Sequence, residues 1–263
     1  MNSINMRFVS LLTALLIVGF SYGQEEKMYQ GYAVHEDIVK PSKMAQYEAV
    51  AKEFTEVMNK YKGEVADLTY LCAMTDNMRY MFVWPIDKMA DLDKNPIGEV
   101  REKMGAEKFD DMMSRMDECY DSHSNYTISL DKEMSYMPEG ISQTQEGMNY
   151  REYHYYYTSP SMVQKLAKKG KAIKDHHQKV NSDSRYRVYR SGFGTAESFF
   201  MVAISAKDAA HMAEMQQANM SKLGPDYQKL LNDALKYTTR YEKYTGWIRE
   251  DLSVTAVQPT KKK

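Results

Sequence analysis

The chain has 263 residues, 43% of them hydrophobic, and a formal net charge of −1. That length leaves room for one large domain or two small ones. Its 35 basic residues against 36 acidic ones lack the basic excess of a dedicated nucleic-acid binder. Two cysteines, Cys72 and Cys119, make no zinc-ligand spacing, and whether they pair is open. Tyr and Met, at 21 each, are over-used. Both pack adaptably, and both suit cores as well as ligand pockets.

At the N-terminus, Arg7 precedes the apolar run Phe8–Phe20, which is too short to span a bilayer but has the length of a signal-peptide core. Small residues at Ser21 and Gly23 place cleavage before Gln24. Residues 1–23 therefore read as a signal peptide, and the mature protein is expected to be exported, periplasmic or extracellular. No cysteine near that point supports a lipid anchor, and no later apolar run is long enough for a stable membrane span.

"GYAVHEDIV" alternates and is rich in β-formers, so it predicts a strand. Pro41 then opens a helix with Met44, Tyr47, Ala51, Phe54, Met58 and Tyr61 on one stripe. "DLTYLCAM" and "RYMFVW" form a hairpin across a "TDN" turn. A short helical piece near Lys88–Leu92 leads to a boundary at Gly105. A second helix stripe follows with Phe109, Met112, Met113, Met116 and Tyr120, and "YTISLDKEM" closes the half as a strand. Pro138–Gly147 has turn chemistry and no periodicity, so it reads as a linker.

The order then recurs. "YREYHYYYT" is a strand, and Val163, Leu166, Gly170, Ile173 and His177 line a helix. "SRYRVYRS" and "SFFMVAIS" form a hairpin. "GPDYQKLLNDALKYTTRY" is a helix with Pro225 in its first turn, and "YTGWIREDLSV" is the last strand. His35 and His154, Pro41 and Pro160, Val83 and Val202, Gly105 and Gly224, and Tyr126 and Tyr244 correspond at a nearly constant spacing. Internal self-similarity of this kind marks a duplicated unit. The expected domains are a first repeat over 24–137, a linker over 138–147, a second repeat over 148–255 and a basic tail over 256–263. The fold class is α+β, two ferredoxin-like β-α-β-β-α-β repeats.

Two such units in one chain, each with a closing strand, resemble a fused dimeric α-β barrel. That superfamily includes antibiotic-biosynthesis-type monooxygenases and NIPSNAP-like proteins. The resemblance covers most of the mature chain and rests on element order and duplication, with no diagnostic motif. It implies two sheets paired into a barrel with a sheet-lined ligand cavity. It does not choose among oxygenases, isomerases, haem enzymes and proteins without known activity. Some duplicated members bind haem through a single histidine, which makes haem a possible cofactor with His154, His177 or His211 as candidates. The glycine-aspartate motif of dye-decolourising peroxidases is absent.

Strand parity supplies the candidate site. Val34, Glu36 and Ile38 share a face with the counterparts Tyr153, Tyr155 and Tyr157. His35, Asp37 and Val39 share the other with His154, Tyr156 and Thr158. The tyrosine face is expected against the helices and the histidine face inside the barrel. His35, Asp37, His154 and Tyr156 are thus the candidate ligand-binding residues, since histidine acts near neutral pH as acid, base or ligand. "HMAEM" suggests copper, but the methionine runs fall on helix stripes. His176 and His177 in "DHH" diverge on a helix, so no residues are assigned to a metal. "KLAKKGKAIK" reads as a solvated basic face.

The expected function is binding of a small, partly apolar ligand in the barrel. The alternatives are a cofactor-independent monooxygenase, a haem-dependent oxidoreductase, or a non-catalytic envelope protein acting through contacts. A small-molecule partner, no nucleic acid, and a monomer or weak dimer complete the expectation.

Overall fold

Among the described residues, runs rich in Tyr, Val, Phe and Ile extend as eight strands, and apolar stripes at helical spacing wind as five α-helices. The computed structural model describes residues 28–142 and 145–255; the signal-type segment and the basic tail lie outside the described residues. The strands are β1 (Tyr29–Val39), β2 (Leu71–Thr75), β3 (Arg79–Ile86), β4 (Tyr120–Tyr136), β5 (Tyr150–Thr158), β6 (Tyr186–Ser191), β7 (Ser198–Ala206) and β8 (Arg240–Ile248). The helices are α1 (Met44–Tyr61), α2 (Pro96–Met104), α3 (Ala106–Asp117), α4 (Val163–Lys179) and α5 (Ala209–Leu235).

All eight strands close into one antiparallel barrel in the order β1-β3-β2-β8-β5-β7-β6-β4. The first half of the chain runs β1-α1-β2-β3-α2-α3-β4 and the second β5-α4-β6-β7-α5-β8. Two seams join the halves. β4 pairs β6, and β2 meets β8 over the short register Ala73↔Ile248, Met74↔Trp247 and Thr75↔Gly246. β1 and β5 stand on opposite sides of the ring.

The barrel interior is apolar and aromatic. Tyr32, Val34, Met81, Ile128, Leu130, Tyr153, Tyr155, Tyr189 and Met201 fill it. An eight-stranded barrel is just wide enough for its own side chains to fill. This reverses the expected faces. Tyr153, Tyr155 and Tyr157 of β5 point inward, while His35, Asp37, His154 and Tyr156 lie on the outer face beneath the helices. Asp37 accepts a hydrogen bond from Tyr47 of α1, and Tyr156 packs in the helix-side cluster with Leu166 and Ala167 of α4. Helices cover the outer face and the strands cover the inner one, so the more polar face of β1 is not a solvent face.

Three element boundaries also differ from expectation. α2 is an additional helix, started by Pro96 in its first turn and by the Asn95 side chain accepting from the Gly98 amide. α5 begins at Ala209, capped by Asp208, and kinks at Gly224–Pro225. β4 begins at Tyr120. The two cysteines are separate, buried thiols in the cluster beneath α1 and α3.

Candidate functional site

His35 and Asp37 follow one another on the outer face of β1. Antiparallel pairing sets Asn125 of β4 opposite His35 and His123 opposite Asp37. The His35 Nδ1 lies 2.8 Å from Asn125 Oδ1, and its Nε2 lies 3.1 Å from Asp37 Oδ1. Tyr47 donates to the other Asp37 oxygen at 2.7 Å. Burial works against a charged His35 ring, but the Asp37 carboxylate outweighs it and holds the His35 pKa above its ordinary value. His123 stacks edge-on to His35 with ring centroids 5.3 Å apart.

His35 also forms part of the wall of a groove of about 1040 Å³ on the outer side of the first half. Its apolar walls are Trp84, Ile86, Phe54, Ile97 and Met113; Asn125 and Thr127 add polar groups beside His35. Phe193, on the β6–β7 turn, is held over the groove because its carbonyl accepts from the Thr127 amide at 2.8 Å. The cavity inside the barrel is only about 60 Å³, room for a few waters. The expected ligand position within the barrel is therefore corrected: the aromatic filling leaves no ligand-sized space there.

His154 and Tyr156 occupy the opposite side of the barrel, so the four candidates form two separate pairs. His154 Nδ1 lies 2.8 Å from Tyr241 Oη and its Nε2 3.3 Å from Glu152. Burial would raise the Glu152 pKa, but contacts from His154, Lys243 and Gln216 hold it at about 2. Tyr156 packs on Tyr241 with ring centroids 5.1 Å apart. His154 Nδ1 is thus engaged while its buried Nε2 makes no hydrogen bond, and His154 lines no groove as His35 does.

The remaining sequence candidates disperse. His176 approaches the Leu223 carbonyl, whereas His177 faces Ser182, so "DHH" makes no shared site. His211 sits at the start of α5, and Met212 is buried against Tyr150 and Ala206. Met112 and Met116 are core residues. His123, Asn125 and Trp84 were not identified as site residues from the sequence. "DSHSN" is poor in β-formers, so the sequence predicts the strand from Tyr126; begun earlier, its alternation would have placed His123 and Asn125 together on the face opposite Tyr126.

No family model and no curated protein matches the sequence. Solved structures do match. An anthrone oxidase-like protein superposes with a TM-score of 0.55 at 10% identity, covering 86% of this chain and 93% of that one. A candidate monooxygenase from Lactobacillus acidophilus NCFM gives 0.50 at 9% identity, covering 87% and 97%. A chlorite dismutase variant from Candidatus Nitrospira defluvii gives 0.50 at 10%, covering 86% and 94%. This chain has the dimeric α-β barrel fold. Its two halves together span nearly the full length of these barrel proteins, and at such identities the likeness is one of fold.

Haem is the cofactor that the resemblance raised for such a barrel. His154, His177 and His211 line neither the groove nor the interior cavity. His177 is 3% exposed, its ring enclosed by Tyr136, Tyr186 and Tyr227 and its Nδ1 bonded to Ser182. These three histidines do not fit the role of haem ligand.

Proposed function

We propose that the protein binds a small, partly apolar molecule in the outer groove of its first half, with His35 and Asn125 as the polar anchors. The observation that carries this reading is the groove itself. Its volume is at the upper end of ordinary ligand sites, and its apolar walls with a few convergent polar groups match the usual make-up of such sites. The fluorescent probe 8-anilinonaphthalene-1-sulfonate tests it. Ala33 lines the groove, and Ala33→Phe fills it from the outer face of β1. Probe binding should be lost in that variant. In contrast, Ala203→Phe crowds the barrel interior, should cost about 1–3 kcal/mol of stability, and should leave binding intact in the folded fraction. Equal binding by wild type and Ala33→Phe would remove the reading.

A second reading is oxygenase chemistry at the same place, without a resident cofactor. It is favoured by the His35 ring, which lies at the groove wall between Asn125 and Asp37 and could take a proton from a bound substrate. Oxygen uptake with polycyclic phenols, abolished by His35→Gln while probe binding persists, supports it; no uptake with wild type counts against it.

We also read the two halves as a duplicated ferredoxin-like unit. The matched pairings Asp37↔His123 and Tyr156↔Tyr241 support this. Export is proposed from the signal-type N-terminus. Cell fractionation with N-terminal sequencing should find the exported chain starting at Gln24; a retained Met1 in the cytosolic fraction would refute it.

A further inference from the structure

β1 places His35 and Asp37 two residues apart on one face, and β4 lays His123 directly opposite Asp37. One nitrogen from each ring and one carboxylate oxygen all lie within 4.8 Å of one another. Two ligands about 2.1 Å from a shared tetrahedral ion stand about 3.4 Å apart. Small side-chain rotations therefore bring the three atoms onto one ion.

Asp37 Oδ1 is the atom that points to a ligand. Asp37 is 1% exposed, and this oxygen accepts no hydrogen bond. It lies 3.1 Å from His35 Nε2. A buried carboxylate oxygen without a donor carries a large desolvation cost. The neighbouring ring compounds it. With the Asn125 amide oxygen 2.8 Å from His35 Nδ1, the neutral ring carries its proton on that nitrogen and presents a lone pair at Nε2. A lone pair facing a carboxylate is repulsive unless a cation lies between them.

The surroundings have the form of a metal site's outer shell. Asn125 fixes the His35 tautomer, and Tyr47 donates to Asp37 Oδ2 at 2.7 Å, as outer-shell partners do for metal-bound histidines and carboxylates. The second half supplies an internal contrast. There the same positions hold His154, Tyr156 and Tyr241, and the Tyr241 hydroxyl satisfies His154 Nδ1 at 2.8 Å. Among the described residues, the ligand set occurs on one side of the barrel.

We propose that His35, Asp37 and His123 bind one divalent first-row transition-metal ion. Two imidazoles and one carboxylate suit zinc or iron(II) and leave further positions open. The inference goes beyond the groove reading and stands if that reading fails, because it concerns the ion alone.

Isothermal titration of the chelator-treated full chain with Zn²⁺, and separately with Co²⁺, tests it. One ion per chain is expected. His123 is exposed, so His123→Gln should fold normally and bind the ion more weakly by well over the roughly 10–100-fold typical of losing an outer-shell partner. Asn125→Ala should give that smaller, 10–100-fold loss. His154→Gln should change nothing. Absence of saturable binding of either ion by wild type overturns the proposal, as does unchanged binding by His123→Gln.

Discussion

Asp131 of β4 is fully buried and forms a close ion pair with Arg190 of β6, its Oδ2 accepting from Arg190 Nε at 2.6 Å. It spans the seam between the halves, and its other oxygen accepts from the Met134 amide at 3.0 Å. Replacing Asp131 leaves the half-buried Arg190 guanidinium without its carboxylate, and replacing Arg190 leaves a fully buried carboxylate uncompensated. Asp131→Asn should therefore lower unfolding free energy by about 3–5 kcal/mol in a urea titration. His177 gives a pH-dependent counterpart. Ser182 Oγ donates to Asn219, so it accepts from His177 Nδ1, which sets a neutral tautomer. Burial, with His176 adding to it, lowers the His177 pKa from 6.5 to about 4. The unfolded ring takes up its proton first as pH falls. The stability contribution is full above pH 6.5 and is lost as pH falls towards 4, by about 3 kcal/mol. In His177→Gln, the stability profile across that interval should be flatter by that amount; an unchanged slope would show that His177 is not buried neutral.

At the scale of elements, two glycines shape the helix layer. Gly105 separates α2 from α3 at φ 95°, and Gly224 kinks α5 at φ 63°, in conformations that side-chain-bearing residues rarely adopt. A Cβ at either would meet no atom within 4 Å, so the cost of substitution lies in the backbone. Gly105→Ala and Gly224→Ala should each cost about 1–3 kcal/mol, measured by thermal unfolding. Their correspondence was legible in the sequence, as was the order of strands and of the four principal helices, because each follows a periodic apolar pattern. α2 was not, since "PIGEVREKM" buries only Val100 and leaves almost no stripe to read. β4 was shortened because its first turns of chain are polar and exposed, and that lost His123 and Asn125. Parity correctly sorted His35 with Asp37 and His154 with Tyr156. It could not say which face turns inward, because both faces of this sheet are covered, one by helices and the other by strands across the barrel.

For the whole molecule, closure is the controlling feature. Each half alone would expose strand edges that the β2–β8 and β4–β6 seams now pair. Residues 28–137 expressed alone should associate or aggregate on size-exclusion chromatography. The full chain, with no open sheet edge, should elute as a monomer or a weak dimer. A stable monomeric half would show that closure is dispensable. Closure also leaves only a cavity of about 60 Å³ inside the barrel, so the proposed ligand site falls on the outer face of the first half. Methyl-labelled methionine NMR during titration with 8-anilinonaphthalene-1-sulfonate tests that claim most directly, because Met113 lines the groove while Met81 and Met201 line the interior. The account predicts a saturable shift of the Met113 methyl with Met81 and Met201 unmoved; shifts at Met81 and Met201 with Met113 silent would contradict it.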